Sequence, residues 1–122
     1  MNKLAFALLF VALAAYAAAA DVTGTWSGSF VPEGGDSSTA YLVIKQSGTS
    51  ITGTAGPDAS TQWPILTGKI AGSTVTIEVK DPDSGTVYKC SMVLDGNKMK
   101  GDVEATSGGQ SQKGKIDISK AN

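Results

Sequence analysis

From residue 21 onward, apolar or small residues recur at every second position, in runs that stop at clusters of Gly, Asp, Asn, Pro and Ser. Val22, Gly24, Trp26, Gly28 and Phe30 share one parity; so do Ala40, Leu42, Ile44 and Gln46. The sets Val75–Ile77–Val79, Tyr88–Cys90–Met92–Leu94, Met99–Gly101–Val103–Ala105 and Gly114–Ile116–Ile118 continue the pattern. Alternation of this kind is the mark of a strand with one buried face. The intervening clusters, at 32–38, 47–50, 56–60, 71–73, 81–85, 95–97 and 107–110, supply the backbone angles that tight reversals need. Strands at such short, regular spacing predict an all-β fold: a small antiparallel up-and-down meander barrel of about eight strands. A ninth strand is expected if Trp63–Leu66 and Thr67–Ile70 are separate.

Two further patterns support closure into a narrow barrel. Shifting the chain by 48 positions places Leu42 on Cys90, Ile44 on Met92, Ile51 on Met99 and Gly53 on Gly101. Two hairpins thus repeat one plan, which favours a regular meander over a Greek key. Gly28, Gly53, Gly101 and Gly114 also take the inward parity, although glycine normally weakens a strand. In a small barrel such residues alternate with bulky ones and let strands coil sharply.

Residues 1–20 break the pattern. Of these, 18 are apolar; Lys3 gives the start a positive charge and Tyr16–Ala20 (YAAAA) ends it in small residues. This order predicts a secretory signal helix, cleaved after Ala20, with residues 21–122 as the exported domain. The expected location is the periplasm or the extracellular space. Without Lys3 the chain has nine lysines against 11 acidic residues, a net charge of −2. No basic face for nucleic acid is expected, nor any membrane role once the signal is removed.

The chemistry available is narrow, because the chain has no histidine and no arginine. Ser-His-Asp and Cys-His nucleophiles and histidine-based zinc sites are excluded. Cys90 is the single cysteine, placed mid-strand on the inward parity, and reads as a buried thiol. Asp81-Pro82-Asp83-Ser84-Gly85 resembles the start of a calcium loop, but Gly85, Thr86 and Met92 occupy positions five, six and twelve, where the EF-hand pattern fails. Six carboxylates (Glu33, Asp36, Asp58, Asp81, Asp83, Asp95) fall in turns, and Glu78, Asp102, Glu104 and Asp117 point outward. No catalytic residue, metal or cofactor is therefore assigned. The candidate ligand contacts are the aromatic and sulfur-bearing inward residues Trp26, Tyr88 and Met92, with Trp63 at a barrel rim.

Val22-Thr23-Gly24-Thr25-Trp26 and Ile51-Thr52-Gly53-Thr54 resemble the first strands of the calycin barrels, the lipocalins and avidins. With only Trp26 and Trp63, and no arginine to cover the first-strand tryptophan, the resemblance implies the fold and not biotin binding. Over nearly all of residues 21–122, the segments GTWSGSF, LVIKQSGTSITGTAGP, PILTGKIAGSTVTIEV and MVLDGNKMKGDV resemble a group of small secreted bacterial proteins without an assigned function. In that group the unit also occurs joined to other extracellular domains. The expectation is a non-catalytic exported barrel that binds a small apolar or amphipathic ligand or an extracellular protein. One alternative is a secreted lipocalin-like protease inhibitor presenting residues 32–38 or 56–63; a hydrolase built on carboxylates is another.

Overall fold

A computed structural model describes residues 21–121, so the signal helix expected over residues 1–20 lies outside the described residues. Eight strands follow one another: β1 Gly24–Pro32, β2 Ser38–Ser47, β3 Ser50–Asp58, β4 Thr61–Ala71, β5 Thr74–Lys80, β6 Val87–Asp95, β7 Lys98–Ser107 and β8 Gln110–Lys120. Each pairs antiparallel with the next, and β8 pairs back onto β1, from Trp26 opposite Lys120 to Pro32 opposite Gly114, closing the barrel. Closure leaves no strand edge unpaired, the usual hazard of a small sheet.

Every connection falls inside or beside an expected turn cluster. Five of the seven connections are two residues long, and at the β6–β7 turn Gly96 takes a φ of 64°. A side chain there would strain the left-handed backbone that this reversal uses. The repeated hairpins are β2–β3 and β6–β7, which stand four strands apart around the ring.

The expected ninth strand is absorbed into β4. Trp63 and Ile65 lie at odd positions and pack against the core, whereas Gly68 and Ile70 lie inward at even ones. The switch occurs at a register shift between Ile65 and Thr67, where Leu66 is left 54% exposed. An extra residue in one strand of a pair flips the inward parity without ending the strand.

One end of the barrel is filled. Val22, Trp26, Val75, Met92, Met99 and Ile118 are at most 1% exposed there. The Trp26 indole Nε1 donates to the Val22 carbonyl at 2.9 Å, and the Val22 amide donates to the Gln46 side chain at 2.9 Å. The segment before β1 is thereby folded under the barrel as a floor. No polar or charged side chain is buried among the described residues. The core is held by apolar burial and by the ladder.

The inward glycines have a more specific cause than crowding of the interior. A Cβ built on Gly101 would stand 1.9 Å from the Ser91 carbonyl oxygen and 2.7 Å from the Met92 Cα, both on the neighbouring strand. The strands coil so tightly that backbone takes the place of a side chain.

Candidate functional site

Above the floor the interior is not filled. A cavity of about 210 Å³ opens at the end of the barrel opposite Trp26. Its deeper wall includes Leu42, Ile77, Cys90, Val103 and Ile116, and its mouth is framed by Phe30, Ser38, Trp63, Val79 and Tyr88. Eight strands enclose just enough room for side chains or for one small ligand. Here side chains fill the closed half, and the open half keeps a cavity.

Two aromatic side chains dominate the mouth. The β4 bulge allows Trp63 to face inward, and Tyr88 follows from the ordinary alternation of β6. Their rings stack with centroids 6.0 Å apart and planes inclined by 3°. Val79 of β5 pairs with both Ile65 and Tyr88, so the two aromatic strands flank it. Burial, and secondarily the charge of Asp81, raises the Tyr88 phenol above its ordinary pKa. The phenol is therefore a neutral group with a hydroxyl to offer. Four strands away around the ring, the Thr39 hydroxyl is committed to the Pro57 carbonyl at 2.5 Å, tying β2 to the end of β3.

The remaining candidates divide by height in the barrel. Trp26 and Met92 share the inward parity of Tyr88 but pack in the closed half and do not line the cavity. Phe30, Ile77, Val79 and Cys90 were not singled out as contacts from sequence, yet they do line it. Phe30 could have been found, being the aromatic of β1 nearest the open end. Cys90 is 9% exposed, and burial pushes its thiol up to about 12. A thiol so strongly held in its protonated form is a packing group and a poor nucleophile.

A second depression of about 860 Å³ lies on the outer wall of β4–β8. Although larger, it is lined by charges of both signs. Glu78, Lys89, Glu104 and Lys113 sit side by side in register across four strands, and Lys115 pairs with Asp102. Such exposed pairs contribute little and present no surface of one sign. Residues 56–63 form a hairpin with its turn at 59–60 and do not protrude as a loop. Asp58 caps that turn through the Ser60 and Thr61 amides, and its Ser60 contacts chiefly hold its carboxyl below the usual range. Among the described residues no group of three or more metal-ligating side chains comes together.

No protein-family model and no curated protein sequence matches the chain. Comparison with solved structures finds the complex of bradavidin2 with biotin, an avidin-like barrel, at a TM-score of 0.58 and 14% identity. The match covers 77% of this chain and 95% of the other. The fold is a calycin-type barrel. At this level of identity the likeness concerns architecture, and the cavity of this calycin-type barrel has its own lining.

Proposed function

We propose that this chain is an exported, non-catalytic calycin-type barrel that binds a small apolar or amphipathic molecule in its open-end cavity. The observation that carries the reading is the cavity itself, about 210 Å³ of apolar space under a stacked Trp63–Tyr88 pair, in a barrel whose other half is fully packed. Apolar concave sites with a few polar groups at the edge are the usual form of small-molecule sites. The structural neighbour holds a small molecule, biotin, which agrees with this use of the architecture. Export rests on the signal-like order of residues 1–20.

Native mass spectrometry of protein purified from its source tests the binding role. A retained small molecule, lost on substitution of Trp63, is the expected result. A mass equal to that of the bare chain under every gentle condition would count against the reading. N-terminal sequencing of the same material should begin at Asp21.

A further inference from the structure

The lining of the cavity also bears on what kind of molecule could stay there. The cavity wall carries no lysine, and the chain has neither arginine nor histidine. An anionic head group would thus find no ion-pair partner on the wall. The surroundings make its position worse. The connections at the open end carry Glu33, Asp36, Asp81 and Asp83, and Asp58 ends β3 beside them. No lysine lies in those connections; Lys80, the last residue of β5, stands on the outward parity next to Val79, and Lys115 of β8, which feels the charge of Glu33, is exposed on the outer wall and paired with Asp102. The charge of Asp81 reaches the mouth, since it adds to the rise of the Tyr88 phenol.

Size sets a second condition. Drug-sized ligands occupy pockets of roughly 300–1,000 Å³, and a cavity of roughly 150 Å³ accepts benzene. The space here lies between these two values. Polar partners are confined to the mouth, where the Tyr88 hydroxyl has no hydrogen-bond partner among the described residues and the Ser38 hydroxyl, at the start of β2, donates to the Phe30 carbonyl at 3.4 Å.

Building on the proposed binding role, we infer that the ligand is a compact, uncharged, hydrocarbon-like molecule of roughly ten carbon atoms, with at most one hydroxyl or carbonyl, held at the mouth. Anionic amphiphiles such as fatty acids are refused. Biotin, with a carboxylate and a ureido group, fails on charge and on polarity.

Isothermal titration calorimetry on the mature chain tests this with 1-hexanol, 1-octanol, 1-decanol, 1-tetradecanol and octanoate. Affinity should rise about fourfold per methylene in the shorter alcohols and then level off near decanol. Octanol should bind at least about tenfold more tightly than octanoate, because the wall offers a buried carboxylate no cation and the acidic connections add repulsion. In the double variant Asp36→Asn/Asp83→Asn that gap should narrow severalfold, while octanol binding stays unchanged. Octanoate binding as tightly as octanol would overturn the inference, as would affinity that keeps climbing to tetradecanol. If no alcohol binds while native mass spectrometry shows a retained ligand of other chemistry, the inference falls and the binding role stands. If neither experiment finds a ligand, both fall.

Discussion

Replacing Gly101 by alanine isolates the tight coiling of the strands. Gly101 has no positive φ, so the added methyl brings contact strain alone. Its carbon would start 1.9 Å from the Ser91 oxygen. A carbon–oxygen contact across a sheet needs about 3.3 Å, so β6 and β7 must part locally by about 1.4 Å. A separation of that size breaks one or two ladder hydrogen bonds, each worth about 1 kcal/mol net. Forced overpacking adds about 1–3 kcal/mol. The stiffer unfolded chain returns about 0.4–1 kcal/mol. The expected net loss is about 2–4 kcal/mol, which for a domain of this size lowers Tm by roughly 10–20 °C. Scanning calorimetry of Gly101→Ala should show this drop. Gly72→Ala, where nothing lies within 4 Å but φ is 62°, should lose only about 1 kcal/mol. A Gly101→Ala protein melting within a few degrees of the parent would refute the account of the inward glycines.

Other expectations concern the two halves of the barrel and its thiol. Trp63→Ala should weaken binding of the retained ligand by about tenfold or more, for loss of one aromatic wall; its Tm should change far less than that of a floor variant, and the reverse pattern would make Trp63 structural. Trp26→Ala should cost about 3–5 kcal/mol in chemical denaturation, because it empties the floor and frees the Val22 carbonyl. The Cys90 thiol has its folded pKa raised from 9.0 to about 12, so the unfolded chain releases that proton first as pH rises. Its contribution is fully present below pH 9 and declines by up to about 1.4 kcal/mol per pH unit toward pH 12. Denaturation curves of the parent and of Cys90→Ala should therefore converge across that window. Parallel curves would show that the thiol is not buried as described.

Much of this architecture can be read directly from residue parity. The runs 22–30, 75–79 and 88–94 each place the same parity inward along their strand, and the glycine-bearing clusters locate the turns. In β4 the reading divides because a bulge and a chain reversal both interrupt alternation; only pairing with β5 tells them apart. The candidate site divides for another reason. Parity assigns a residue to the inner face but says nothing of its height along the axis. Met92 lies four residues below Tyr88 on one strand, about 13 Å at strand spacing, and so falls in the floor while Tyr88 reaches the mouth. The cavity itself had no sequence signal. Inward glycines suggested a narrow interior, whereas at Gly101 they mark where a neighbouring backbone passes.

The pairing of β1 with β8 sets an order of events for the nascent chain. The first strand cannot find its second partner until residues 114–120 have been made, since Trp26 waits for Lys120. Closing so long a loop is a slow, entropically costly step. Until then the growing meander has two bare edges, each able to recruit a strand from another molecule. A chain stopped before β8 is therefore an open sheet prone to self-association, and the last seven residues of the barrel decide whether the preceding ninety remain soluble.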